Sequence, residues 1–363
     1  MVMADSVSTP LVASIRRDIA DAGGWIGFDR FMHLALYAPG LGYYARRDRQ
    51  FGALPASGSD FVTAPELSPL FGRALARQLA QALAESASAE VFEFGAGSGA
   101  LGAQLLDALG ERIERYTIVD VSGALRERQR ERLAAYGARV RWLERWPERL
   151  CGVVVGNEVL DAMPVHLLHW DGARWTERGV SLDGERFAWA DRATRLRPPV
   201  ECDFVPGTTL EVNAQAKAFV ATLAERMTRG AAFFIDYGFP EGEYYHPQRS
   251  GGTLMCHRAH RADTDPLVDV GLKDITAHVD WSAVALAGQD AGLDVLGYTS
   301  QARFLMNCGL LDDLAHAGVR AKAAAQKLIQ DHEMGELFKV LGFAKACRFD
   351  AIGFSEGDRS HRL

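Results

Sequence analysis

Apolar residues recur along this chain in two rhythms, and each change of rhythm marks an element. Leu11, Ile15 and Ile19 fall at helical spacing and stop before Gly23-Gly24, and Phe28, Phe31, Met32, Leu34 and Leu36 mark a second helix ended by Pro39-Gly40. A third helix is predicted from Pro69 to Leu83, with Thr63 or Ser68 as its cap, so residues 11–88 read as mainly helical. The rhythm then shortens. Strands are predicted at 91–94, 115–121, 139–143 and 153–155, with helices after Leu101 and from Arg126 to Tyr136. Such alternation predicts an α/β fold, a mostly parallel sheet with helices on both faces.

Residues 165–196 break the pattern. His166-Leu-Leu-His-Trp170, Arg174-Trp-Thr-Glu-Arg178 and Glu185-Arg-Phe-Ala-Trp189 are separated by Asp171-Gly172 and Asp183-Gly184. Asp-Gly between alternating runs is a hairpin signal, so an antiparallel β-meander is expected at 165–207, inserted between parts of the sheet. A helix at 214–228 and a strand at 231–238 restore the α/β pattern. The irregular, polar stretch 241–281 is expected as a lid, because a loop that long inside a compact domain usually has a function. Helix, strand and helix follow at 282–289, 293–299 and 303–311, then one or two helices at 321–341. The expected layout is an N-terminal helical cap at 1–88, a core at 89–164 and 208–300, and C-terminal helices at 301–363.

Composition narrows the function. With 363 residues and 48% hydrophobic content the chain can bury a sizeable core, and a net charge of −7 makes a nucleic-acid backbone an unexpected partner. The five cysteines, Cys151, Cys202, Cys256, Cys308 and Cys347, form no Cys-x-x-Cys pair, which argues against a zinc site or a disulfide framework. No membrane span and no leader are evident, so a cytoplasmic protein is expected. His166 and His169 are read as decorating the hairpin. His257, His260 and His278, near Asp274 and Asp280, match no common metal motif, and no metal is expected. Trp175 and Trp189 are expected either to cover the core or to form a homodimer face.

Candidate chemistry centres on Val91-Phe-Glu-Phe-Gly-Ala-Gly-Ser-Gly-Ala-Leu-Gly102. A strand, a turn with Gly95, Gly97 and Gly99, and a helix make a nucleotide-binding start. Gly97-x-Gly99-x-x-Gly102 also satisfies the dinucleotide fingerprint, and a turn with no ligand stays open. Glu93 favours another ligand: a carboxylate there repels a pyrophosphate but suits an ammonium, which S-adenosylmethionine carries. Asp120, at the end of the second strand, is the expected ribose acceptor, and Glu144, after the third, either accepts from an adenine amino group or is solvated. Glu158 and Asp161 share one side if their segment is a helical turn; otherwise Asp161 caps a helix and Glu158 is solvated. Asp236 is a third candidate carboxylate and Tyr237 an aromatic wall. Thr63, Pro65 and Glu66 are candidates for the wall of the cofactor site.

Taken together, Gly42-Tyr-Tyr44, Asp60-Phe-Val-Thr-Ala-Pro-Glu-Leu-Ser68, Glu93-Phe-Gly-Ala-Gly-Ser-Gly99, Asn157-Glu-Val-Leu-Asp-Ala-Met-Pro-Val-His166, Asp236-Tyr-Gly238 and Thr276-Ala-His-Val-Asp-Trp281 resemble the MidA-like family. This is the family of the mitochondrial complex I assembly factor that methylates an arginine, and the resemblance runs from about residue 12 to about residue 345. It implies a class I S-adenosylmethionine-dependent methyltransferase fold and arginine N-methylation of a protein, in the eukaryotic member a subunit of NADH:quinone oxidoreductase. By position it implies that the glycine turn holds the methionine part of the cofactor and Asp120 its ribose, with Asn157 beside it. Glu158 and Asp161 fall in the family's acidic motif, where they, or Glu158 with Asp236, would grip a guanidinium against Tyr237. A cofactor-binding assembly chaperone without turnover and a nicotinamide-dependent oxidoreductase remain the alternatives.

Overall fold

The structure, a computed structural model, describes residues 8–46 and 62–363; Asp60 and Phe61 of the motif quoted above lie outside the described residues. Among the described residues the main sheet has eight strands; the short Val279–Asp280 pairs with the end of Met227–Phe239, and seven make the continuous path: Glu90–Phe94, Arg115–Val119, Val140–Leu143, Leu150–Asn157, Met227–Phe239, Asp294–Ser300 and Phe338–Lys345. Numbered by chain position they lie in the order three, two, one, four, five, seven, six. The first five run parallel, and the seventh is antiparallel to both its neighbours. This is the class I methyltransferase sheet.

Alternation along the buried strands explains the layers. Val153, Val155, Ala231, Phe233 and Ile235 point into one core, under the helices Pro69–Ser86, Ala100–Leu109, Gln301–Asn307 and Val319–Ile329. Phe92, Val154, Ala232 and Phe234 point the other way, under Ala214–Arg226 and Trp281–Asp290. Ser68 caps the Pro69–Ser86 helix by accepting from the Leu70 N–H at 3.3 Å, resolving the choice of cap.

The expected meander forms, and it is larger than the sequence suggested. His166–Trp170, Trp175–Asp183 and Arg186–Ala193 are joined by Ile26–Gly27 at one side and Thr209–Val212 at the other. The Asp171 carboxylate accepts from the Ala173 and Arg174 N–H groups, both at 2.8 Å, which fixes the first turn. The early helices Ser8–Asp21 and Phe28–Tyr37 pack on this inserted sheet and not on the main one, in a core that joins Leu11, Ile15 and Phe31 to Leu167 and Val180. Residues 8–46 and the Pro69–Ser86 helix therefore belong to different layers. Trp175 is buried against Trp170 and Phe204 and covers a core, whereas Trp189 lies against Phe28 and stays 38% exposed.

Two expectations are corrected. Phe338–Lys345 is a strand one place in from the edge of the sheet, not the end of a C-terminal helix. A strand buried on both faces has no period to read, and this one directly follows a true helix. The stretch 241–281 is not irregular throughout: Met255–Arg258, Arg261–Asp263 and Asp274–Thr276 make a small antiparallel sheet. Its Cys256 and Ile275, with Ala277 just beyond it, are buried with the N-terminal helices. Strands of three or four residues are too short to show alternation. All five cysteines are free, and among the described residues no helix is long and apolar enough to cross a membrane.

Candidate active site

A cavity of about 640 Å³ opens beyond the carboxyl ends of the parallel strands. Its first half is built by the glycine turn. Gly95, Gly97 and Gly99 all have positive φ, and a Cβ on Gly95 would lie 2.3 Å from Val159 Cγ2, so no larger residue fits there. The turn delivers the chain into the Ala100–Leu109 helix, whose N-terminal residues line the cavity. Glu93 lines it too, only 2% exposed, with Oε2 accepting from the Tyr116 hydroxyl at 2.8 Å. Burial pushes this carboxyl up to about 7.

Asp120 is at the cavity wall, but both its oxygens already accept: Oδ1 from the Ser122 N–H and Oδ2 from Gln129 Nε2, each at 2.8 Å. Gln129 Nε2 also donates to the Gly97 carbonyl at 3.0 Å. Asp120 therefore braces the glycine turn, and each of its oxygens keeps a second lone pair for a ligand. Glu144 stands at the rim with its side chain 72% exposed, and Oε1 is paired with Arg126. Between them Trp146 and Phe219 pack with Phe94 at ring distances of 4.4 to 5.2 Å and line an apolar slot suited to a flat base. The sequence left this slot unseen: Phe219 falls inside the helix expected at 214–228, and Trp146 falls in no expected element.

Thr63 and Pro65 line the cavity as expected. Glu66 does not. It accepts from Ser98 of the glycine turn and from Arg132 Nη1 at 2.8 Å, a strut behind the turn.

The second half of the cavity is acidic. Residues 158–161 are not a helical turn, so the helical expectation is corrected: Glu158 has φ +52°, a left-handed conformation that costs a non-glycine residue about 1 kcal/mol or more. The neighbouring contacts hold it there. Glu158 N–H donates to the Ile235 carbonyl at 2.9 Å, and the Val159, Leu160 and Asp161 N–H groups all donate to Asp236 Oδ2 at 2.9 to 3.2 Å. Asp236 Oδ1 takes the Tyr237 N–H at 3.0 Å. Burial and the carboxyls of Asp161 and Glu158 push Asp236 towards protonation, whereas four converging N–H dipoles favour its charge. With four donors aimed at two oxygens, we assign the carboxylate. Asp236 is absent from the cavity wall, so it is a positioning residue and not the third acid facing the site.

Glu158 and Asp161 do face the site together, with Asn157 between the two halves. Asn157 Nδ2 donates to Glu158 Oε1 at 3.0 Å, and Asn157 Oδ1 has no partner. Burial first, then the charge of Asp161, raises Glu158 to about 8; burial raises Asp161 to about 6, opposed by a hydrogen bond from Tyr237. Asp161 is 4% exposed and its Oδ1 has no partner. Tyr237 lines the wall, edge-on to Phe338 at 5.2 Å. Tyr37, Tyr44 and Asp274 line it as well, with His257, Lys327 and Glu333, and none of the six had a site role in the reading of the sequence. Gly42-Tyr-Tyr44 carried no chemistry by itself, and Asp274 was noted only beside histidines.

These features fit S-adenosylmethionine: a buried carboxyl for an ammonium, bare backbone at the glycines, an acceptor for a ribose and an aromatic slot for a base. A diphosphate would lie against Glu93 instead. Residues 71–299 match the family described as S-adenosyl-L-methionine-dependent methyltransferase. A protein from Burkholderia thailandensis whose crystal structure holds S-adenosyl-homocysteine is 53% identical over 99% of this chain and 97% of its own, with a TM-score of 0.95. Protein arginine methyltransferase NDUFAF7, mitochondrial, of Danio rerio is 28% identical over 94% of this chain and 89% of its own. The Homo sapiens protein of that name is 27% identical over 91% and 81%. These relatives are mitochondrial by name, which corrects the cytoplasmic location expected from the sequence. The chain belongs to this family of S-adenosylmethionine-dependent methyltransferases, and S-adenosylmethionine is its cofactor.

Proposed function

We propose that this methyltransferase acts on an arginine side chain of a protein, a subunit of respiratory complex I being the expected substrate. The observation that carries the reading is the acidic, tyrosine-walled half of the cavity, in which Glu158 and Asp161 face the space next to the cofactor half. A guanidinium enters charged and presents donors in a rigid fork that matches carboxylates. Glu158 and Asp161 would aim one of its nitrogens, and Tyr237 would flank its plane. The named vertebrate relatives, called protein arginine methyltransferases, support the same substrate class. One chain supplies every residue used, so a homodimer is not required.

Bound S-adenosylmethionine supplies a methyl group already activated on a sulfonium. As the arginine nitrogen takes the methyl, the bonding pair of the old S–C bond stays on sulfur. The nitrogen then gives up one proton, and Glu158 is the acceptor within the acidic half. The expected result is radiolabel transferred to arginine in purified complex I subunits, mapped by mass spectrometry. Label on lysine or on a carboxylate would end the arginine reading. Cofactor binding without any transfer would favour an assembly chaperone.

Glu93 gives a pH signature. Its carboxyl, raised to about 7, must ionise to meet the ammonium of the cofactor. A bound cation lowers that value, so proton release accompanies binding below pH 7. Affinity for S-adenosylhomocysteine should therefore fall as pH drops below about 7, by up to tenfold per unit, and level off above it. Calorimetry in Glu93→Gln should lose this slope. A slope unchanged in that variant would remove Glu93 from ammonium binding.

A further inference from the structure

Tyr237 flanks the acceptor in the arginine reading, so whatever orients its ring shapes the acceptor half of the cavity. Two rings from separate elements touch it. Phe338 stands opposite on the neighbouring strand, with ring centroids 5.2 Å apart at 86°. His278, between the strands Asp274–Thr276 and Val279–Asp280, meets Tyr237 edge-on at 5.1 Å and 67°. Tyr237 and Phe239 share one face of their strand, and His278 spans both, since its ring also stacks on Phe239 at 5.2 Å and 21°. Phe338 lines the cavity but His278 does not, so His278 reaches the acceptor only through Tyr237.

The backbone that carries His278 is held from 277 to 280. Ala277 N–H donates to the Asp161 carbonyl at 3.0 Å, which ties this segment to the acidic turn. His278 N–H donates to Thr253 Oγ1 at 3.1 Å, and the His278 carbonyl accepts from Asn213 Nδ2 at 3.3 Å. Val279 and Asp280 pair with Gly238 and Phe239, so the ring is carried beside the residues it touches. The side chain is fixed as well. His278 Nδ1 lies 3.4 Å from the Thr253 carbonyl, which can only accept, so Nδ1 carries a proton. Burial first, then the charges of Arg249 and Lys339, push the imidazole down to about 4 against that hydrogen bond. A neutral ring adds no cation behind the place where a charged guanidinium would lie. Tyr237 in turn hydrogen-bonds to Asp161, and an aromatic ring with no edge against it turns broadly about its second torsion.

We propose that His278 is a positioning residue of the acceptor site: acting through Tyr237, it holds that ring so that the hydroxyl meets Asp161 and the ring flanks the acceptor. This rests on the arginine reading above and extends it to a residue outside the cavity wall.

The test separates the His278 ring from its hydrogen bond, in the full chain with S-adenosylmethionine and a short arginine peptide. His278→Asn keeps an N–H for the Thr253 carbonyl and deletes the ring; His278→Phe keeps a ring and deletes the N–H. His278→Asn should lower kcat/KM for transfer by about fivefold, the worth of an aromatic edge contact, and His278→Phe by less than about twofold. A residue that is only a hydrogen-bonded strut gives the reverse order. In a Tyr237→Ala background His278→Asn should cost nothing further, because its effect passes through the ring already removed. Affinity for S-adenosylhomocysteine should stay within about twofold throughout. Wild-type transfer in His278→Asn, a loss in His278→Phe as large as in His278→Asn, or full additivity with Tyr237→Ala overturns the proposal and leaves the arginine reading standing. A wild type that labels no arginine overturns that reading and this proposal with it. Should one of the two His278 variants fail to fold, the other decides by the same limits.

Discussion

Glu158→Gln should lower kcat for methyl transfer by about 10³-fold, within the usual range for loss of a proton-transfer group, while affinity for S-adenosylhomocysteine changes by less than about twofold. The substitution keeps the size and shape of the side chain, and an amide oxygen can still accept from Asn157 Nδ2. An entering guanidinium favours the ionised form of this raised carboxyl, and the substitution removes both that charge and the basic oxygen that takes the proton after transfer. Burial suits Glu158 to the second task, since a carboxyl raised to about 8 holds a proton more firmly than an exposed one. The left-handed backbone at Glu158 points the same way. A strained residue next to a cofactor turn is retained where its side chain has to be aimed. Single-turnover transfer to an arginine peptide separates this step from product release. Wild-type rates in Glu158→Gln would take Glu158 out of the chemistry.

Much of this site could be read from the sequence, but unevenly. The glycine turn was legible because bare backbone and positive φ demand glycine, and Glu93 stood out as an acid against a nucleotide fingerprint. Glu158 and Asp161 were legible because the carboxyl end of a buried parallel strand faces the crevice. Asp236 met the same criterion and was misread: the sequence located the strand end but could not show that four backbone N–H groups would occupy the carboxylate. Glu66 failed similarly, since its bond to Ser98 joins residues 32 positions apart. The wall from outside the core sheet was least legible. The Tyr44 hydroxyl donates to Asp274 Oδ1 from 230 residues away, and nothing local in either segment announces the pair. In the fold, long helices and alternating hairpins declared themselves, whereas the seventh core strand and the accessory strands had either no period or too few residues to show one.

Asp236→Ala should disable the enzyme through the fold of its acidic turn rather than through lost contact with substrate. Three N–H groups of residues 159–161 and that of Tyr237 converge on this carboxylate, and Asp236 is 1% exposed. Removing it leaves a set of buried donors without an acceptor, at about 1–3 kcal/mol each, partly relieved if water enters the space; a net loss of about 3 kcal/mol is expected. Asp236→Asn should be no gentler, because its amide turns a donor towards donors. Transfer should fall with stability, since the turn that holds Glu158 at φ +52° would relax to an ordinary conformation and turn the side chain away. Thermal midpoint and transfer rate measured on the same samples distinguish the two roles. An Asp236→Ala chain with an unchanged midpoint and no activity would return Asp236 to the substrate's side of the cavity.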